Sequence, residues 1–260
     1  MDEMVKRISH RQACKCVGLN RSKHYYQHKR RDDSEVVDAL SLLVEKHVSI
    51  GFWQCYYRLR RKGLEWNHKK IYRIYTSMRL NIRRRAKKRL PERVKKPLFV
   101  PEMVNEVWSM DFMSDALWNG RKFRLLNIAD DYNREMLTME IDYSLPALRV
   151  IRALDELKQY RELPKKIRMD NGPEFISHKL DGWAKENNVE LVFIQPGEPT
   201  QNAYIERLNG SIRRELLNAY IFHSLDDVRG KVEEWMVDYN YHRPHQALNF
   251  KSPVDLLQEI

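Results

Sequence analysis

Val107-Trp108-Ser109-Met110-Asp111-Phe112 reads as a β-strand that carries one ionised group in an otherwise apolar run. A carboxylate without a partner is costly in such a setting, and a metal ion is a good reason to tolerate it. C-terminal to this stretch, Asn119-Gly120 marks a turn, and Phe123 to Ala129 and Met136 to Ile141 read as two more strands of an antiparallel meander. Ser144 is placed to cap a helix running to about Tyr160. Lys166 to Asp170 is a short strand, Phe175 to Asn187 a helix with Ser177 near its start, and Glu190 to Ile194 a strand. Gln195 to Gln201 holds two prolines and a glycine and reads as a loop, and Ala203 to Asn218 reads as a long helix. The order is βββαβαβα, an α/β domain.

Two further acids belong with Asp111. Asp170 follows the alternating run Ile167-Arg168-Met169, and Asn171-Gly172 forces a turn immediately after it. A turn aspartate bonded to its own backbone is the plain alternative. Glu206 lies 36 positions beyond Asp170 on the last helix, where Ile205, Leu208, Ile212 and Leu216 form an apolar stripe. Glu206, Asn209, Gly210 and Arg213 form an adjoining stripe, which offers a carboxylate to a metal and a cation to a phosphate further along. The plain alternative for Glu206 is a solvated surface charge. Asp115, Asp130, Asp131 and Glu174 compete for the same role and read as turn or supporting groups. Three carboxylates brought together suit Mg²⁺, a hard cation that prefers oxygen ligands. A pair of such ions, with Mn²⁺ as a substitute, drives in-line displacement at phosphorus. No nucleophile elbow, phosphate-binding loop or dinucleotide fingerprint is present.

The N-terminal part is different in texture. Residues 1–100 hold 27 Lys and Arg against 9 Asp and Glu, so they carry +18 of the net +11, and residues 101–260 carry −7. A basic half joined to an acidic half points to a nucleic-acid-binding part and a metal-binding part. Residues 9–30 fit a short helix, a Gly-Leu-Asn turn and a second basic helix, or else a frayed basic arm. Cys14, Cys16, His24 and His28 are poorly spaced for tetrahedral zinc. Val36, Val37, Leu40, Leu43 and Val44 share a helical face with His47, which reads as a packed core histidine. Phe52, Tyr56 and Leu59 start a second helix, and Asn67 caps a third that turns Ile71, Ile74, Tyr75 and Met78 inward. Lys69, Lys70 and Arg73 on its other face are candidate DNA contacts. Residues 83–96 hold nine Lys or Arg in fourteen positions, so Arg83, Arg84, Arg85, Lys87, Lys88 and Arg89 read as an extended basic linker along phosphates. These boundaries predict a short helix-turn-helix-like segment at 1–32, a helical DNA-binding domain at 33–82, a linker at 83–100, a catalytic core at 101–222 and a helical extension at 223–260. No stretch is apolar for long enough to cross a bilayer, and three cysteines give no disulfide framework, so a reduced cytoplasm is expected.

The ordered set of motifs resembles the OrfB-type DDE transposases of bacterial insertion sequences, in the IS-three group. It runs through Trp-Ser-Met-Asp-Phe-Met-Ser-Asp from 108, Gly-Arg-Lys-Phe-Arg-Leu-Leu-Asn-Ile-Ala-Asp-Asp-Tyr-Asn-Arg-Glu from 120, and Asp-Asn-Gly-Pro-Glu-Phe-Ile-Ser from 170. It continues through Gln-Pro-Gly-Glu-Pro-Thr-Gln-Asn-Ala-Tyr-Ile-Glu-Arg-Leu-Asn-Gly from 195 and ends with Tyr-Asn-Tyr-His-Arg-Pro-His-Gln-Ala-Leu from 239. One departure is Gly-Phe-Trp-Gln-Cys from 51, where relatives carry a Tyr-Gly-Tyr-Arg-like stretch. The resemblance implies a ribonuclease H-like integrase core preceded by an all-α basic region, and carries a catalytic triad onto Asp111, Asp170 and Glu206. It implies hydrolysis at an element end followed by attack of the freed 3′-hydroxyl on another phosphodiester, with Arg213 and Asn209 near substrate DNA. It also implies a homo-oligomer on double-stranded DNA near the bacterial nucleoid, with an upstream-frame OrfA-type partner of helix-turn-helix and coiled-coil character. The competing readings are a non-catalytic DNA-binding regulator of transposition, resting on the basic half alone, and a ribonuclease H-like nuclease. The His242-Arg243-Pro244-His245 segment fits either a DNA-side contact or packing of a terminal helix, and a metal site is not expected there because proline between the histidines breaks helical spacing.

Overall fold

The computed structural model describes residues 9–27, 32–82, 99–194 and 202–258. The basic run from Arg83 through Lys87 to Arg89 and the loop at 195–201 lie outside the described residues, as does His28.

Among the described residues the chain starts with two short helices, α1 (His10–Cys16) and α2 (Arg21–His24), capped by Ser9 and Asn20. Gly18 links them at a φ of 64°, a conformation open to glycine without cost. Three longer helices follow: α3 (Ser34–Lys46), α4 (Phe52–Arg61) and α5 (His68–Ser77). They close a small core around Val36, Leu40, Leu43, Cys55, Leu59, Ile71, Ile74 and Tyr75, the faces their periodicity predicts, with Met78 at its margin. The Asn67 side chain accepts the Lys69 N–H at 2.8 Å and fixes the start of α5. His47 ends α3, and burial, with Arg58 beside it, pushes its pKa down to about 4.

From residue 107 the elements are β1 (Val107–Ala116), β2 (Lys122–Asp130), β3 (Met136–Asp142), α6 (Ala147–Lys158), β4 (Lys166–Met169), α7 (His178–Glu186), β5 (Glu190–Phe193) and α8 (Ala203–Ile212). This is the expected βββαβαβα order. The helix expected to be capped by Ser144 is instead preceded by Pro146, two residues later, with no side-chain cap. Proline holds the residue before it out of the helical region, so Leu145 cannot join the first turn. The helix of α8 runs on through a π turn at Arg213–Leu217.

The five strands form one mixed sheet in the order β3-β2-β1-β4-β5, with β1 antiparallel to β2 and parallel to β4. Side chains alternate across it. Trp108, Met110, Leu126, Ile128, Ile167 and Met169 face α6 and α7. Met113, Leu125 and Ala129 face α8 and a further helix, α9 (Leu225–Val237), whose Val228, Val232 and Trp235 share that core. A π turn (Asp238–His242), a short 3₁₀ turn (Gln246–Leu248) and α10 (Pro253–Leu257) complete the chain. The α4 helix docks on this C-terminal part. Arg58 grips the Asp238 carboxylate with both guanidinium nitrogens, at 2.8 and 2.5 Å, and Arg61 reaches Asp255 at 2.8 Å. Among the described residues no helix is long and apolar enough to cross a membrane.

Candidate active site

The sheet brings the two aspartates together. β1 and β4 run parallel with Val107 opposite Lys166, Trp108 opposite Ile167 and Ser109 opposite Arg168. Continuing that register by two residues sets Asp111 beside Asp170, on strands about 4.8 Å apart. Asp111 is not at a strand end, as its sequence setting suggests, but in the middle of a longer β1. Asp170 follows the last residue of β4. Its carboxylate accepts the Gly172 N–H at 3.0 Å, and a Cβ at position 172 would stand 3.0 Å from the same oxygen. A larger residue at 172 would press on the carboxylate and displace it by a few tenths of an ångström.

α8 packs on β1 and β2 through Ile205, Leu208 and Ile212 and carries its polar stripe over the same strands. Glu206, in its first turn, is exposed. One turn later the Asn209 amide donates to Asp111 Oδ2 at 2.6 Å. Asn127 of β2, opposite Asp111 in the sheet, donates to Asn209 Oδ1 at 2.7 Å. Burial pushes the Asp111 carboxyl up from the ordinary 3.8 to about 6, and the negative charges of Asp170 and Glu206 add to the rise. The Phe112 N–H and the Asn209 amide pull the other way without cancelling it. The three acids named from the sequence therefore feel one another across the junction of β1, β4 and α8.

The competing acids each pair with an arginine, although burial still raises the carboxyls of Asp130 and Asp131. Asp115 takes Arg213 at 2.6 Å, Asp130 takes Arg161 at 3.3 Å, and Asp131 takes Arg168 at 2.8 Å. Glu174 takes Arg124, which also lies 4.3 Å over the Phe112 ring and so ties the turn after Asp170 to β1 and β2. Asp111, Asp170 and Glu206 have no such cation among the described residues. Among those residues no three His, Cys, Asp or Glu groups form a ready metal cage. The donor set still fits Mg²⁺. Its oxygens are hard, a neighbouring cation would relieve the strained ionisation of Asp111, and Mg²⁺ keeps water and substrate phosphate among its ligands.

The other expected contacts fall in several places. Arg213 lies in the π turn and pairs with Asp115 and the Ser114 carbonyl. Arg73 and Lys70 both reach Asp33, and Lys69 is exposed beside them. The His-Arg-Pro-His segment packs: Arg243 is buried against Glu215 and the Tyr239 ring, and His245 Nε2 meets the Tyr239 carbonyl at 3.2 Å. Sequence reasoning missed Asn127. The signal was there, because a lone amide in Leu125-Leu126-Asn127-Ile128-Ala129 is the same kind of anomaly as Asp111.

Comparison with known proteins gives the same outline. Integrase core domain models match residues 101–199 and residues 187–253. The uncharacterized 31.7 kDa protein of insertion element IS407 from Burkholderia multivorans is 43% identical over 247 residues, 95% of this chain and 89% of that protein. The uncharacterized 39.2 kDa protein of insertion element IS476 from Xanthomonas euvesicatoria is 37% identical over 241 residues, 92% of this chain and 70% of that protein. In fold the chain is similar to one in the simian T-cell lymphotropic virus intasome in complex with PP2A regulatory subunit B56 gamma. That match has a TM-score of 0.54 at 14% identity and covers 85% of this chain and 73% of the other.

Proposed function

The chain belongs to the insertion-sequence transposases with an integrase catalytic core, and from that premise we propose that Asp111, Asp170 and Glu206 carry its chemistry. The reaction is Mg²⁺-dependent cleavage at the element ends followed by strand transfer. The observation that carries this reading is the uncompensated set of three carboxylates, in a neighbourhood where every competing acid has an arginine.

In the first step water attacks a phosphodiester at the element end. A water oxygen–phosphorus bond forms, the bond to the 3′-oxygen breaks, and that oxygen leaves as a protonated hydroxyl. In the second step the freed 3′-oxygen loses its proton and attacks phosphorus in the target strand. One phosphodiester forms, one breaks, and the displaced target 3′-oxygen takes up a proton. Divalent cations held by Asp111, Asp170 and Glu206 would supply activation of the attacking oxygen and stabilisation of the leaving one. The protein supplies position and charge. The paired strands hold Asp111 and Asp170 side by side, Asn209 fixes the Asp111 carboxylate, and the Gly172 turn holds that of Asp170. Glu206 reaches the junction from the first turn of α8.

The substrate is double-stranded DNA in the bacterial nucleoid. Lys69, Lys70 and Arg73, with the basic run 83–89, hold the phosphate backbone, and Asn209 and Arg213 lie closest to the reacting strand. The chain works as an oligomer that holds two ends, with an upstream OrfA-type protein supplying end recognition. The domain limits 33–82 and 101–222 separate DNA holding from chemistry. Strand transfer with labelled element ends, run with and without the upstream partner, tests this reading. Asp111→Asn and Glu206→Gln are each expected to abolish cleavage and joining while DNA binding survives. Full strand transfer by either variant would refute the assignment.

A further inference from the structure

Asn127 is fully buried in β2 and lies directly across the sheet from Asp111. Its neighbours on the same face, Leu125 and Ala129, belong to the core beneath α8. The direction of every hydrogen bond around it is forced. An ionised Asp111 can only accept, so the Asn209 amide must turn its NH₂ toward Oδ2, the contact at 2.6 Å. That turns the Asn209 oxygen toward β2, where only a donor can meet it. Asn127 presents its own NH₂ there, at 2.7 Å. Its oxygen is then left pointing into the core, buried and without a partner among the described residues. A buried acceptor without a donor costs stability, and an apolar side chain at this place would avoid the cost.

We propose that Asn127 is a positioning residue for Asp111, acting through the Asn209 amide. Without the donor at 127, the Asn209 oxygen loses its partner and nothing on the β2 side fixes where the amide stands. With it, Asp111 is held at both oxygens: Oδ1 by the Phe112 N–H at 2.8 Å and Oδ2 by Asn209. The plane of the carboxylate is fixed, and its remaining lone pairs are aimed at the space it shares with Asp170 and Glu206. The inference rests on the transposase reading of that site.

The test separates position from stability. Asn127→Leu, close in shape but apolar, and Asn127→Ala are compared with the unaltered chain in three measurements: urea unfolding, the Mg²⁺-induced rise in the thermal midpoint, and the rate of strand transfer. Asn127→Leu is expected to be close in stability to the unaltered chain, because it removes the orphaned oxygen and leaves only the half-buried Asn209 oxygen without its donor. Strand transfer is expected to fall about 10–100-fold in both variants, with a matching rise in the Mg²⁺ concentration needed for the thermal shift. Wild-type transfer and Mg²⁺ response in a folded variant would overturn the inference and leave the transposase reading intact. So would activity that falls only in step with stability. An unaltered chain that joins no strand, with or without its upstream partner, overturns the reading and the inference together.

Discussion

Asp111→Asn is expected to end the chemistry and strengthen the fold. Burial and two neighbouring carboxylates hold the Asp111 carboxyl at about 6, against an ordinary 3.8. At about 1.4 kcal/mol per tenfold change in proton affinity, keeping it ionised costs the folded protein about 3 kcal/mol at neutral pH. An asparagine has one acceptor oxygen where the carboxylate has two, so either the Phe112 N–H or the Asn209 amide loses its partner. That loss is worth about 1 kcal/mol, which leaves a net gain of about 2 kcal/mol. The sign with pH follows from the raised value. The folded state binds the extra proton between 3.8 and about 6, so the unaltered protein loses stability as pH rises through that window and keeps it below. The variant has no such loss. Urea unfolding at several pH values should therefore show two curves that meet near the lower limit and separate toward neutrality. Mg²⁺ should narrow the gap by stabilising only the unaltered chain. A variant less stable at neutral pH, or a gain that does not change with pH, would refute this account of Asp111.

Other perturbations read different parts of the structure. Arg168→Ala leaves Asp131 buried without its cation and should cost about 3–5 kcal/mol in chemical unfolding, and a cost under about 1 kcal/mol would show that the pair is not needed. Gly172→Ala sets a methyl group 3.0 Å from Asp170 Oδ1 and should slow strand transfer at least about tenfold while the thermal midpoint moves little. Unchanged transfer would mean that the turn yields without moving the carboxylate. Arg58→Ala releases Asp238, whose burial works against its charge while Arg58 holds its carboxyl below the ordinary 3.8. Its cost, about 2 kcal/mol near neutrality, should shrink as pH falls through and below 3.8, because a lowered carboxyl contributes stability only while it is ionised. A pH-independent cost would point to packing instead.

The parts of this molecule legible in the sequence are those set by local periodicity. The α8 stripe of Ile205, Leu208 and Ile212 predicted which face packs, and hence which face Glu206 and Asn209 share. The charge inside the apolar run marked Asp111 as an anomaly, and burial does raise its carboxyl to about 6. What stayed hidden depends on pairings between residues far apart in the chain. The parallel register of β1 with β4, which sets Asp111 beside Asp170, has no local signature. Neither does the burial of Arg243 against Glu215, which turns a segment rich in His and Arg into packing. The start of α6 was missed for a local reason, since Pro146 outweighs the capping preference of Ser144.

On the proposed function, charge pairing across the sheet separates the three acids assigned to metal from the other four. An acid held by an arginine has its ionised form already stabilised, so a divalent cation would have to displace that guanidinium. Asp115, Asp130, Asp131 and Glu174 each have such a guanidinium, although burial still raises the carboxyls of Asp130 and Asp131, the latter to about 6. Asp111 has no such guanidinium among the described residues. The fold surrounds it with apolar strand, two further carboxylates and neutral amides, so its ionisation is opposed until positive charge arrives. The arginines are thus as informative as the acids: they mark which carboxylates are structural. On the proposed function, that opposition to ionisation is what a cation held by Asp111, Asp170 and Glu206 would relieve.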